Sequence, residues 1–133
     1  MAWQPNYIKR YHECFETSTG VARVLTDAGE VFIKPLGNAV GPHALVREWI
    51  GTSIARFLGL MTFDFAIMEV AIDDVIPLGH NRTALPGPAF VTRKMNGYTW
   101  GGGIEQLENV NNKAVFAKLV ILDTLILNKD RYP

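Results

Sequence analysis

The sequence has little that would direct it to a polyanion, a membrane or an oxidising compartment. Thirteen Lys and Arg balance thirteen Asp and Glu over 133 residues, so no global field attracts nucleic acid or an anionic bilayer, and no block of like charge forms a tail. Any polyanion must be held by a local arrangement. The single cysteine, Cys14, cannot close an internal disulfide, and the opening MAWQPNYIKRYHECFE has no apolar run of the kind a secretory signal needs. The expectation is a reducing cytoplasm. Long uncharged hydrophobic runs are also missing. Phe57 to Ile72 is broken by Asp64 and Glu69, and Ala114 to Leu127 by Lys118 and Asp123, so both stretches are core elements rather than bilayer spans. His12, His43 and His80 show no metal-ligand spacing with one another or with Cys14. The aromatic residues do not interleave with a basic cluster, which argues against single-stranded nucleic acid.

What is present fits one soluble α+β domain, with 48% hydrophobic residues to fill its core. No repeat or low-complexity tract interrupts it. Tyr7, Ile8, Tyr11 and Phe15 recur at rough helical spacing and predict a short docking helix. After Thr17-Ser18-Thr19-Gly20, VARVLT and EVFIK flank the turn signal Asp27-Ala28-Gly29, a β-hairpin ending at Lys34. Residues 38–42 form a loop, and Pro42 opens a helix. Leu45, Val46, Trp49, Ile50, Ser53, Ile54 and Phe57 make its apolar face until Gly59 stops it. FDFAIMEVAI is apolar on both faces, as in a central strand. Residues 73–88 read as a long exposed loop, AFVTRKM as another strand and NGYTWGGG as a flexible segment. A last helix, capped near Asn112, is expected to be buried almost all round.

Several residues could carry chemistry. Lys34, at the end of an apolar strand, can set its ammonium beside a phosphate while its stem packs on the sheet. The strand alone better describes an edge lysine that protects the sheet. Glu48 is the natural partner from the next helix, yet it lies away from the apolar stripe, and periodicity by itself makes it a solvated side chain. Backbone amides near Gly20, with the Thr17, Ser18 and Thr19 hydroxyls, could cradle phosphate oxygens, or could simply lead into a hairpin. The sharpest feature is the final NKDRYP. A helix that holds Asp130 at its exit fixes a carboxylate as a general base or positioning group requires, with Arg131 able to screen it or touch phosphate. The alternative is a charged helix end. Asp123, in the same helix, is better suited to satisfying buried backbone or loop groups than to chemistry.

In order along the chain, GEVFIKPLGN, ALVREWIGTSIARFLGL, PAFVTRK and LVILDTLILNKDRYP resemble the HipA-like kinases, a bacterial branch of the protein-kinase-like fold often associated with toxin–antitoxin pairs. The resemblance implies a kinase N-lobe over about residues 1–95, followed over 96–133 by the hinge and the first helices of a C-lobe. It implies that Lys34 contacts ATP phosphates, that Glu48 pairs with it, and that residues 17–20 fall at the phosphate-binding loop. Residues 89–94 would lead into the hinge against which adenine rests, Asp130 would be the catalytic-loop aspartate, and Asn128, Arg131 and Asp123 would support it. The implied reaction is ATP-dependent phosphoryl transfer to a serine or threonine hydroxyl of a protein. The magnesium ligands of such a kinase are expected beyond residue 133, with none in this stretch, which then represents the N-terminal part of a longer enzyme. The alternative is an inactive lobe that binds nucleotide or a partner. An antitoxin is a possible partner, whereas direct nucleic-acid and membrane contacts are not expected. Met61 and Phe63 stand where the family favours prolines, Arg47 stands where asparagine is usual, and the loop near Gly20 is poorer in glycine.

Overall fold

A computed structural model describes residues 2–98 and 101–128. The chain is α+β, with a five-stranded antiparallel sheet in the order β1-β2-β3-β7-β4. The strands are β1 (Ile8–Phe15), β2 (Val21–Thr26), β3 (Gly29–Lys34), β4 (Phe65–Val70) and β7 (Gly87–Arg93), and a separate ribbon pairs β5 (Pro77–Gly79) with β6 (Arg82–Thr83). Three helices complete the described fold: α1 (His43–Phe57), α2 (Ile104–Glu108) and α3 (Ala114–Leu125). It divides into two units, one built from the chain up to Ile50 with Phe63–Met95, the other from Gly51–Thr62 and the chain from Asn96 onward.

In the first unit, strand alternation decides which residues meet. Ala22 and Val24 of β2, Val31 and Ile33 of β3, Ala66, Met68 and Val70 of β4, and Ala89 and Val91 of β7 face one side. Ile76, Leu78 and Ala84 close over that side from β5, β6 and their flanks. Each large aliphatic side chain removed from water contributes about 1.5–3 kcal/mol, so this cluster is the main stabilising feature of the unit.

The predicted N-terminal helix is strand β1. Its pairing with β2 shifts register between Ile8 and Arg10 and again between Tyr11 and Glu13. Each irregularity adds a residue to the strand, so Ile8, Tyr11 and Cys14 all pack on the core at a spacing that resembles a helical period. The segment read as a long loop contains the β5–β6 ribbon. His80 (φ 49) and Asn81 (φ 58) both take left-handed conformations at its tip, as a tight primed turn requires.

β4 is an edge strand, not a central one. Its second apolar face is explained by the contact of Phe65 with Trp49 and Phe90. Gln4 donates its side-chain amide to the Ile67 carbonyl at 2.9 Å, which occupies part of the open edge.

In the second unit, Ala55, Leu60 and Leu122 are buried together, with Ile54, Leu58, Val115 and Leu119 packed against them. The α1 stop at Gly59 holds. Gly59 (φ 76) donates to the Arg56 carbonyl and Leu60 to that of Ala55, the paired bonds that close a helix through a left-handed residue. Helix α3 departs from expectation. Its N-cap is Lys113, with no side-chain capping bond, and Asn112 contributes only its carbonyl to Val115. Only Leu122 and Asp123 are buried, while Val120, Ile121 and Leu125 are half exposed or more. Uniform apolarity marks no side of a helix as inward, and in this unit only the side toward Ala55 and Leu60 is covered. No described helix is long and apolar enough to cross a membrane.

Candidate functional site

Because Val31 and Ile33 turn into the core, Phe32 and Lys34 emerge on the opposite face of the sheet. Across β7, Lys34 stands level with Phe90, and Phe90 level with Ile67 of β4. Helix α1 lies against this face. Trp49 meets Phe65 edge-on, with ring centroids 5.2 Å apart, and Glu48 accepts a hydrogen bond from the Lys34 ammonium. The periodicity reading of Glu48 as a solvated residue is therefore overturned. Ala44 and Leu45 are the buried residues of the first turns, whereas Val46, Trp49 and Ile50 are each roughly half exposed. On its sheet side the helix presents the Glu48 carboxylate, which meets the opposite charge of Lys34. The two charged side chains keep 26% and 32% of their surface, so the pair is oriented by the fold and still accessible to a ligand.

Residues 17–20 precede the β2–β3 hairpin, as expected, and also close an earlier hairpin between β1 and β2. Phe15 of β1 pairs with Val21 of β2, and the intervening residues form the turn. The Thr17 amide donates to the Phe15 carbonyl at 2.8 Å and the Gly20 amide to the Thr17 carbonyl at 3.1 Å. The Ser18 and Thr19 amides make no hydrogen bond among the described residues. Thr17 and Ser18 are exposed, Thr19 is half-buried and Gly20 is buried. Since Ala22 pairs with Ile33, this turn and Lys34 share one end of the sheet. Between them the same face carries Phe15 and Phe32, with ring centroids 5.9 Å apart.

Further along the same face is a charged group that the sequence did not single out. Glu30 accepts from Lys94 at 2.9 Å and from Arg23 at 3.0 Å, and His12 lies 3.4 Å away. Arg23 also bonds Glu13 at 2.9 Å. The hydrogen bond from the Lys94 ammonium holds the Glu30 carboxyl below its ordinary value, against an opposing effect of desolvation. The Lys94 amide donates to the Glu30 carbonyl, so the first residue after β7 is tied to β3 by backbone and side chain together. Alternation along β2 and β3 was the available signal, since it puts Arg23 and Glu30 on the face opposite the core.

In the second unit, Asp123 is buried and accepts the Asn128 side-chain amide at 3.0 Å, while the Asn128 backbone amide bonds the Asp123 carbonyl at 2.9 Å. Asp123 thus ties down the exit of α3, the structural role expected of it. Asp130 and Arg131 lie outside the described residues. No three His, Cys, Asp or Glu side chains among the described residues come together so as to hold a metal ion.

No curated protein and no solved structure matches the chain. A family model described as HipA-like kinase matches residues 23–133. The match begins within β2, after the 17–20 turn, and takes in Lys34, Glu48, the strand leading to Lys94 and the whole of α3. With the greater part of its length matched, from the Lys34–Glu48 pair through the exit of α3, the chain belongs to the family of HipA-like kinases.

Proposed function

We propose that the face of the sheet carrying Lys34 binds ATP, and that the protein transfers the terminal phosphoryl group to a serine or threonine hydroxyl of a protein. The observation that carries this reading is the Lys34–Glu48 ion pair, partly exposed and at the same end of the sheet as the 17–20 turn. A lysine oriented by a carboxylate is a fixed positive charge for phosphate oxygens, and the free Ser18 and Thr19 amides offer neutral donors beside it. Glu48 orients Lys34 in this reading. Phe15 and Phe32 supply an apolar surface for the base. Asp130 would orient the acceptor hydroxyl, with Asn128 and Arg131 supporting the loop around it. Magnesium, when bound, would neutralise charge on the transferring group.

The test is a titration of the purified protein with ATP, with Lys34→Met beside it. A hydrogen bond to a charged group is worth about 1.5–3 kcal/mol, so the variant should bind ATP about 10- to 100-fold more weakly. The exposure of the pair predicts that its melting temperature changes little. Equal ATP affinity in the two proteins would remove the assignment. Binding that depends on Lys34, with no transfer of labelled phosphate to protein from an enzyme with intact Asp130, would favour a nucleotide-binding module over a kinase.

A further inference from the structure

The connection between Lys34 and α1, residues 35–41, forms a strap built around Asn38. This side chain is 6% exposed, and its hydrogen-bonding capacity is largely spent within the strap. Its amide donates to the Pro35 carbonyl at 2.9 Å, and its oxygen accepts from the Val40 and Gly41 amides at 2.9 and 2.8 Å. The strap is also stitched to the β5–β6 ribbon. Leu85 donates to the Leu36 carbonyl at 2.9 Å. Gly37 (φ 91) passes so close that a methyl group there would stand 2.6 Å from the Thr83 carbonyl oxygen.

On its other side the strap meets the β1–β2 turn. A methyl group placed on Gly20 would lie 3.6 Å from Asn38 Cβ and 3.3 Å from Leu78 Cβ. Gly20 therefore sits directly on Asn38 and on the ribbon beneath it. The strap begins at Lys34 and leads into the helix that carries Glu48. One buried side chain thus connects the three parts that would surround a phosphate: the turn, the lysine and the start of the helix bearing its carboxylate partner.

We infer that Asn38 is a positioning residue of the nucleotide site. It shapes the strap that supports Gly20, and so sets where the Ser18 and Thr19 amides stand relative to Lys34. Asn38 touches no ligand in this scheme, and its effect falls on the phosphates rather than on the base. The inference extends the ATP reading above, but part of it is independent of ATP.

The experiment compares wild type with Asn38→Ala by ATP titration, adenosine titration and amide hydrogen exchange without ligand. Misplacing a binding group by about 1 Å can cost as much as 100-fold, so ATP should bind at least about tenfold more weakly while adenosine affinity stays within about twofold. Exchange at Gly20, whose amide bonds the Thr17 carbonyl, should accelerate. Equal losses for ATP and adenosine, or a lower melting temperature with both affinities kept, would reduce Asn38 to a purely structural role and overturn the proposal. If alanine prevents folding, Asn38→Asp keeps the acceptor for Val40 and Gly41 and removes the donor to Pro35. A smaller loss confined to ATP is then expected, and its absence overturns the proposal. A wild-type protein that binds neither ligand would instead defeat the ATP reading and the site role of Asn38 with it. Unchanged exchange in the turn would refute the link from Asn38 to Gly20 whatever the nucleotide result.

Discussion

Single residues differ in how far the sequence reveals them. Lys34 was legible because it ends an alternating strand, and alternation alone places it on the face opposite Val31 and Ile33. Glu48 was not, because a helical wheel records hydrophobicity and cannot record that a lysine waits on the neighbouring sheet. Ala44 and Leu45 are buried in α1, while the equally apolar Val46 and Ile50 are about half exposed. Asp27 was read only as part of a turn signal, yet it also anchors the N-terminal segment. Its carboxylate accepts the Asn6 amide at 2.8 Å, the Asn6 side chain at 2.9 Å and the Tyr7 amide at 3.3 Å. The Asn6 side-chain bond, followed by the backbone bond, holds this carboxyl below its ordinary value of 3.8. A carboxyl whose value is depressed on folding adds stability above its unfolded value and loses it as pH falls through the folded one. The melting temperature of wild type should therefore exceed that of Asp27→Asn at neutral pH, and the gap should close as the pH is taken well below 3.8. Thermal melts of both proteins across the acid range would check this, and a gap independent of pH would show that the ionised form of Asp27 has no special role.

At the scale of elements, type was easier to read than environment. The β2–β3 hairpin, α1 and β7 follow from alternation, Pro42 and Gly59, which are local signals. β1 was misread because two register shifts give Ile8, Tyr11 and Cys14 a spacing that imitates a helix, and a bulge is set by the partner strand. The ribbon at residues 77–83 was hidden by glycine and proline, although Ile76 and Leu78 alternate toward Asn81. Helices α1 and α3 end by the same pair of hydrogen bonds but with different residues at the left-handed position. At the end of α3, Leu127 (φ 52) donates to the Thr124 carbonyl, and Asn128 to that of Asp123. A bulky residue in this conformation costs about 1–2 kcal/mol, which glycine avoids. Leu127 is 79% exposed, so little packing offsets the strain. Leu127→Gly should stabilise the exit of α3 by about 1 kcal/mol, less if glycine's added freedom in the unfolded chain takes part of the gain. A denaturant series would measure it. A destabilised variant would mean that Leu127 is held by contacts stronger than its exposure suggests.

For the whole molecule, the two units have unequal cores. Among the described residues, the first buries twelve apolar side chains in one cluster, and the second buries Ala55, Leu60 and Leu122. Ordering a residue's backbone costs about 1–2 kcal/mol, and a buried large aliphatic side chain returns about 1.5–3. The sheet therefore has a large cluster to offset its ordering, whereas the helices of the second unit rest on very few buried side chains and expose Val120, Ile121 and Leu125. Local opening should follow that imbalance. In native-state hydrogen exchange, the amides of β2, β3 and β7 should be the slowest in the chain, and those of α3 should exchange well before them. Leu122→Ala removes one of the few anchors of α3, at about 2–5 kcal/mol for a buried leucine. It should speed exchange in α3 while leaving β3 and β7 nearly unchanged. If α3 and the sheet instead exchange at a common rate, and Leu122→Ala accelerates both alike, the chain opens as one cooperative body and the difference between the cores has no independent consequence. The first outcome has a functional reading too. The Lys34–Glu48 pair would then stand on the most persistent part of the protein.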